Sequence, residues 1–293
     1  MLMNRKIATF ATDLNEMNMK PLYKPLLFAF TFILFAACKF GKAKEHLDFH
    51  QVKRSVHLRD SLNIKENEFA ILYDTPFREM EIELDMNFLK ATINTPQAVC
   101  QQINNKLTEI LVNQSDSLTP EEAADKYIEQ HKEDFLREKI TYIYYSHLKG
   151  RGDFGLENVL NYRIEEEEFT GGAHPLTTVT ILRFNTTTGD FITLDQICPL
   201  SSQQKLKEML LKKLMKDKNA STMEELYQMG ILDRTEMFVS KNFSLGKDSI
   251  EFYYNEYEIA PYAYGPCIIS LGYDEVVELT ASPANTKDKH PAS

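Results

Sequence analysis

Two segments in the first half of the chain alternate apolar and polar residues, a pattern typical of a strand with one buried face. The first covers residues 52–58, and the second and more regular one covers residues 80–86. The apolar members of the second segment are Met80, Ile82, Leu84 and Met86. Because successive side chains of a strand point to opposite faces of its sheet, we expect these four residues in the core and the acidic residues between them in solvent.

Two helices are predicted to follow these strands. Apolar residues recur at helical spacing after Pro96, at Val99, Ile103 and Leu107. A second helix is predicted to begin at residues 119–122, where a threonine, a proline and two glutamates form a capping box with proline in the first turn. The first half is therefore predicted to be made of strands followed by two helices.

The second half of the chain is predicted to be rich in sheet, because β-branched and aromatic residues dominate its apolar segments. The predicted strands are residues 140–145, 159–169, 176–184, 237–239, 242–244, 250–254 and 267–271. Residues 185–190 predict a hairpin turn in which Gly189 supplies a positive φ. Helices are predicted at residues 201–217 and 223–229. The pattern as a whole predicts an α+β fold of antiparallel sheets with helices packed on one side.

The N-terminal part of the chain is predicted to be an export signal. Residues 26–37 are an uncharged apolar segment of roughly the length of a signal-peptide core, which is shorter than the 20 or so residues of a membrane-spanning helix. Small residues then precede Cys38, as in a bacterial lipobox, in which the cysteine receives the lipid. Met19 is a better start than Met1, since Lys20 and Lys24 form the positive flank. We therefore expect a lipoprotein held by its N-terminal lipid, in the outer membrane and facing the periplasm.

The remainder of the chain is predicted to form two subdomains. A tether is expected at residues 39–50, an N-terminal α+β subdomain at 51–150 and a C-terminal α+β subdomain at 151–281. The polar residues 282–293 are predicted to be a disordered tail.

Charge restricts the possible partners. The chain carries 33 basic and 43 acidic residues, a formal net charge of −10. Nucleic-acid binding is not expected, because it depends on Lys and Arg side chains that neutralise phosphates. An acidic surface attracts cationic partners, although solubility alone also explains mild acidity.

No metal or cofactor site is predicted. Cys100, Cys198 and Cys267 lie too far apart in sequence for a metal motif, and three small buried residues are the favoured interpretation. One disulfide among them remains open. His46 and His50 have helical spacing but no third ligand nearby, which favours a solvated tether.

Three motifs in the second half stand out together. They are residues 169–175, which contain Gly171 and Gly172 followed by His174, residues 183–197, and residues 252–265. Their order and spacing resemble an exported domain family of unknown function, which we call RsiV-like. The family includes the lysozyme-binding extracytoplasmic half of the anti-sigma factor RsiV and a domain beside the catalytic domain of the peptidoglycan deacetylase PdaC. The resemblance implies a binding or envelope role, but it does not identify a ligand for this chain.

Candidate site residues lie within or beside these motifs. His174 is a candidate contact or general base, although a histidine bonded to the backbone is the favoured interpretation. Glu165 to Glu168 could bind a cation, but a solvated strand end is favoured. The best binding candidates are Tyr257, Tyr262 and Tyr264 in a Pro/Gly loop, since tyrosine combines a large contact area with a polar tip.

The functional expectation is a lipid-anchored envelope binding protein without catalytic residues. Its expected ligand is a peptidoglycan fragment or a cationic wall-active protein such as lysozyme. Two alternatives remain open: a cell-wall hydrolase or deacetylase that uses His174, and a structural or assembly lipoprotein of the envelope.

Overall fold

The computed structural model describes residues 47–61, 77–113, 118–137, 143–233 and 235–280. The predicted signal segment, Cys38, His46 and the predicted tail lie outside these residues. The described residues form two compact units, one that ends at Ile192 and one that begins at Thr193. Within the described ranges, no helix has the length and apolar character needed to cross a membrane.

The first unit contains a five-stranded sheet and two helices. In chain order the elements are β1 (Asp48–Ser61), β2 (Phe77–Lys90), α1 (Gln97–Val112), α2 (Pro120–Arg137), β3 (Ile143–Phe154), β4 (Val159–Phe169) and β5 (Leu176–Asn185). The strands lie side by side in this same order. All neighbours are antiparallel except β2 and β3, which are parallel because the two helices connect them.

The alternation along β2 places its two kinds of residue on opposite faces. Met80, Ile82, Leu84 and Met86 are at most 1% exposed. We call the face that carries these residues the inner face, and the opposite one the outer face. Helix α1 contacts β2 and helix α2 contacts both β1 and β2. The predicted core assignment of the four apolar residues is confirmed.

Local sequence also explains the ends of the two helices. Pro96 is the N-cap of α1, and α2 begins at Pro120 in the first turn. The Glu122 carboxylate accepts a hydrogen bond of 2.8 Å from the Thr119 N–H, and the Glu122 N–H donates to Oγ1 of Thr119 at 3.3 Å. This reciprocal pair is the predicted capping box.

The second unit combines short helices with a three-stranded antiparallel sheet. Its elements are α3 (Leu194–Ile197), α4 (Leu200–Asp217), α5 (Met223–Gln228), β6 (Phe243–Leu245), β7 (Ser249–Tyr254), a 3₁₀ helix (Tyr262–Tyr264), β8 (Cys267–Gly272) and α6 (Tyr273–Thr280). The strand order is β6-β7-β8. Helix α4 contacts β8 and α6. The α+β class is therefore confirmed in both units.

The turn predicted at residues 185–190 is present. Gly189 has φ +83° and the Asn185 N–H donates to the Asp190 carbonyl oxygen at 2.9 Å. Buried Arg183 stabilises the segment that follows the turn. Its guanidinium donates hydrogen bonds to the carbonyl oxygens of Ile181 at 2.7 Å and of Ile192, after the turn, at 3.1 Å. The second sequence motif therefore has a structural role at this turn.

Several predictions differ from the structure. The predicted subdomain boundary at residue 150 falls inside β3, whereas the compact units divide after Ile192. The tether reaches residue 50 in the prediction, but β1 already begins at Asp48. One strand pair is parallel rather than antiparallel, residues 237–239 form no strand, and α6 was not predicted.

The cysteines behave as small core residues. Cys100, Cys198 and Cys267 are all free and buried. Burial raises the pKa of all three thiols, that of Cys198 to about 11. Raised thiol pKa values make these cysteines poor nucleophiles at neutral pH.

Candidate functional site

The three candidate tyrosines lie together in one loop. This loop, residues 255–266 between β7 and β8, is called the tyrosine loop. Ile259 anchors the middle of the loop. This residue is 3% exposed, and its carbonyl oxygen accepts a hydrogen bond of 2.8 Å from the Leu232 N–H. The Gly265 N–H donates to the carbonyl oxygen of Tyr262 at 2.8 Å and closes the 3₁₀ helix. The loop is thus held by its own backbone bonds and by an apolar anchor.

The aromatic rings of the loop are presented to solvent. Tyr257 is 58% exposed and Tyr264 is 46% exposed, whereas Tyr262 is half-buried. The rings of Tyr257 and Tyr262 stack, with centroids 5.9 Å apart and planes inclined by 27°. The Lys218 ammonium lies 5.6 Å from the centroid of the Tyr264 ring. These contacts limit the rotation of exposed rings and create an ordered aromatic surface.

The backbone at Tyr257 is strained. This residue has φ +67°, in the left-handed region that L-residues other than glycine and asparagine rarely occupy. Such a conformation costs about 1–2 kcal/mol for a bulky residue. The hydrogen bond from the Tyr257 N–H to the Ala260 carbonyl oxygen, 3.1 Å long, helps to hold the turn. A strained position that carries an exposed ring is typical of a binding loop.

Two carboxylates accompany the tyrosines. Glu258 accepts a hydrogen bond of 2.8 Å from the Asn255 N–H, and burial raises the pKa of its carboxyl group. Oε2 of Glu256 is buried and has no hydrogen-bond partner among the described residues. A buried acceptor without a hydrogen-bond donor costs folding free energy.

His174 lies in the first unit, in the loop between β4 and β5. Its Nδ1–H donates to the carbonyl oxygen of Pro175 at 2.8 Å, and the side chain is half-buried. This is the backbone-bonded arrangement that the sequence favoured. Gly171 and Gly172, with φ +79° and +131°, form the corner that precedes it. The sequence motif that contains His174 therefore has a structural role, because it forms the turn between β4 and β5.

The interpretation of Glu165 to Glu168 as a solvated strand end was wrong for two of the four residues. Glu166 and Glu168 are 3% and 7% exposed, because they lie on the inner face of β4. Ser146 donates a hydrogen bond of 2.9 Å to Glu166, and Tyr144 donates one of 3.4 Å to Glu168. Burial and the neighbouring Glu168 raise the pKa of Glu166 to about 7. Sequence reasoning missed these buried acids because the run of four glutamates looked uniformly polar.

Helix α2 completes this buried cluster. The hydroxyl group of Tyr127 donates to Glu166 at 3.3 Å and lies 3.1 Å from Oγ of Ser146. One turn further, Nδ1–H of His131 donates to the carbonyl oxygen of Tyr127 at 2.9 Å, while Nε2 is buried without a partner among the described residues. Burial lowers the pKa of His131. The imidazole is therefore neutral at pH 7, and the cluster is a buried polar network.

Potential metal ligands converge in only one place within the described residues. Three side chains of the first unit, Glu81, Glu83 and His147, form this group, and the second unit contributes none.

Comparisons with known proteins agree with the α+β fold. The model of the family described as "Protein of unknown function (DUF3298)" matches residues 190–274, a range that includes the tyrosine loop. No curated protein matches the chain. A crystal structure of a DUF3298 family member from Bacteroides fragilis is similar with a TM-score of 0.66 and 25% identity, covering 81% of this chain and 95% of that one.

A DUF3298 family protein from Pseudomonas aeruginosa has the same fold, with a TM-score of 0.56 and 11% identity over 80% of this chain and 94% of that one. The chain is therefore similar, in sequence over residues 190–274 and in fold over most of its length, to proteins of a family described as having unknown function.

Proposed function

We propose that this protein is a lipid-anchored, non-catalytic binding protein of the bacterial envelope, and that it recognises a cell-wall glycan through the tyrosine loop. The observation that carries the proposal is the exposed ring of Tyr257, which stacks on the half-buried ring of Tyr262 with the two centroids 5.9 Å apart. Exposed aromatic side chains on a fastened loop favour binding, because the protein spends little conformational entropy on ordering them.

The chemistry of the loop suits a saccharide. A pyranose ring offers an apolar face of C–H groups and a rim of hydroxyl groups. Tyrosine rings provide the flat apolar contact, and their hydroxyl groups can bond to the rim.

Export and lipid attachment rest on the sequence pattern that ends at Cys38. The resemblance of three motifs to the RsiV-like exported family supports the same location. Growth with a labelled fatty acid provides the test. Wild-type protein should carry the label, Cys38→Ser should lose it, and Cys100→Ser should keep it. Label on Cys38→Ser would contradict lipid attachment at this residue.

The glycan proposal is tested by calorimetry with purified processed protein and defined muropeptides. We expect binding that weakens at least tenfold in Tyr257→Ala and in Tyr262→Ala. The matched control is Tyr227→Ala, which removes a tyrosine that is 41% exposed from α5, outside the loop. Absence of binding by the wild type, or equal loss in all three variants, would refute recognition through the loop.

A second candidate ligand is a cationic wall-active protein such as lysozyme. The observation that favours it is the outer face of β2, where the exposed carboxylates of Glu81 and Glu83 pair with no Lys or Arg among the described residues. Charge complementarity would accelerate association at low salt and lose its effect at high salt. Calorimetry with c-type lysozyme at 20 mM and 500 mM NaCl tests this candidate. Absence of lysozyme binding, or binding that is independent of salt, would rule out this candidate ligand.

A further inference from the structure

The outer face of the five-stranded sheet carries a row of acidic residues whose ends are neutralised. At one end, Asp85 pairs with Arg151 at 2.7 Å and with Lys53 at 3.3 Å. At the other end, Glu79 pairs with His57. The two central carboxylates have no such cationic partner from Lys or Arg among the described residues. The centre of the row is therefore the place where negative charge remains uncompensated.

One histidine reaches this centre from the next strand. His147 lies opposite Glu83 in the parallel register of β2 and β3, and its Nε2 is 3.2 Å from Oε1 of Glu81. One ligand atom from each of Glu81, Glu83 and His147 lies within 4.8 Å of the others. The Glu83 carboxylate makes no hydrogen bond or ion pair with the described residues. Two carboxylates and one imidazole thus meet on adjacent strands.

The imidazole of this group is held in place by its surroundings. The Tyr145 ring stacks on the His147 ring, with centroids 4.9 Å apart and planes inclined by 24°. The Tyr145 hydroxyl donates to Oε1 of Glu167 at 3.0 Å, and its ring also stacks on Phe169 at 5.7 Å. An imidazole that is fixed in this way needs little reorganisation to coordinate an ion.

We propose that Glu81, Glu83 and His147 form a binding site for a divalent transition-metal ion, with Zn²⁺ as the best fit. One imidazole nitrogen and two carboxylate oxygens are typical zinc ligands, whereas Ca²⁺ and Mg²⁺ prefer sites built from oxygen alone. Ligands of a tetrahedral zinc ion are about 3.4 Å apart, given metal–ligand bonds of about 2.1 Å. Small side-chain rotations bring these three groups to that spacing, and the ion relieves the repulsion between the carboxylates.

A four-coordinate zinc ion held by these three groups would take its fourth ligand from water or from outside the group. The site belongs to the first unit and does not depend on the tyrosine loop of the second. A zinc ion here would reduce the negative charge of the acidic outer face, so metal binding and the attraction of a cationic protein would compete.

Calorimetric titration of the untagged protein with ZnCl₂ alone tests the site. We expect one ion per chain, with affinity reduced at least tenfold in His147→Ala and in Glu83→Gln. His50→Ala is the matched control, because it removes an exposed histidine of β1 that pairs with Glu121 and lies outside the group. Absence of zinc binding by the wild type overturns the proposal. Equal weakening in His50→Ala and His147→Ala, or wild-type affinity in both His147→Ala and Glu83→Gln, also overturns it.

A second measurement reports on the ligands directly. Co²⁺ in place of Zn²⁺ gives visible absorption whose intensity depends on coordination geometry. The wild type should show the strong bands of four-coordinate cobalt, and His147→Ala should lose them. A spectrum identical to that of hydrated Co²⁺ in the wild type would count against the site, even if calorimetry recorded weak binding.

Discussion

Ser146 donates a hydrogen bond of 2.9 Å to the carboxylate of Glu166, and both residues lie in the interior between the sheet and helix α2. Glu166 is 3% exposed, and burial, with the charge of Glu168, raises the pKa of its carboxyl group from 4.5 to about 7. Ionisation of Glu166 at neutral pH therefore opposes folding, and this makes the stability of the first unit dependent on pH.

The pH dependence has a defined direction. Glu166 binds its proton more tightly in the folded state than in the unfolded state, so its full stabilisation is present below pH 4.5 and is lost as pH rises to about 7. We expect the free energy of unfolding to fall by about 1.4 kcal/mol per pH unit across this window, from this group alone. Urea denaturation at pH 5 and at pH 8 provides the measurement.

The variant Glu166→Gln should remove most of this fall, because an amide keeps the shape and cannot ionise. Its free energy of unfolding at pH 8 should exceed that of the wild type by up to about 3 kcal/mol. Glu165→Gln, on the opposite face of the same strand, should retain the wild-type fall between pH 5 and pH 8. An unchanged pH dependence in Glu166→Gln would show that another group is responsible.

Gly150 is required by the packing of β3. A Cβ atom built there would lie 2.5 Å from the hydroxyl oxygen of Tyr162 and 2.8 Å from Cγ of Met86. The tyrosine cannot move aside freely, because its hydroxyl donates to the carbonyl oxygen of Asn87 at 2.6 Å. We expect Gly150→Ala to lower the free energy of unfolding by about 1–3 kcal/mol. Lys149→Ala on the exposed face should change it little, and equal effects would contradict this packing argument.

Arg183 should be among the most sensitive positions of the first unit. The residue is 1% exposed, donates to the carbonyl oxygens of Ile181 and Ile192, and lies 5.2 Å from the centroid of the Phe191 ring. Replacement by methionine leaves buried carbonyl groups without their donors, and we expect a loss of about 2–3 kcal/mol in thermal or urea denaturation.

The matched control for Arg183 is Arg163→Met on β4. This arginine is 42% exposed in its side chain and pairs with Glu165 at 2.9 Å. Since partly exposed ion pairs contribute about 0–1 kcal/mol, the control should lose far less stability. Similar losses in both variants would mean that burial of Arg183 does not determine its contribution.

The variant Tyr257→Gly should lose ligand binding without losing stability. Glycine accepts a φ of +67° without strain, so Tyr257→Gly should leave the free energy of unfolding unchanged or raise it by up to about 1 kcal/mol. The same variant should lose muropeptide binding, because it removes the most exposed ring of the loop. A loss of stability together with unchanged binding would contradict the assignment of this ring to recognition.

Local sequence was sufficient for much of the fold. Regular alternation predicted the inner face of β2, and the capping residues Thr119 and Glu122 predicted the start of α2. The turn at Gly189 was also predicted, because its glycine supplies a backbone conformation closed to most residues. The loop tyrosines were identified as candidates from composition and from their position beside proline and glycine, which favour exposed loops.

Other features were decided by contacts between residues that are distant in sequence. Glu166 and Glu168 are buried because Tyr127, Tyr144 and Ser146 supply hydrogen-bond donors from other elements, and no local pattern reports those partners. Short apolar segments of the second unit, such as residues 237–239, carry strand-like residues but pair with no strand. Propensity alone does not determine pairing.

The sequence by itself determined the α+β class, the positions of the longer helices and the chemical character of the tyrosine loop, because these depend on neighbouring residues. Only the tertiary structure decided which faces meet. It placed Glu83 opposite His147 across a parallel strand pair and stacked Tyr257 on Tyr262 across a turn. Such approaches depend on strand register and loop closure, which are set by the packing of the whole unit rather than by any one segment.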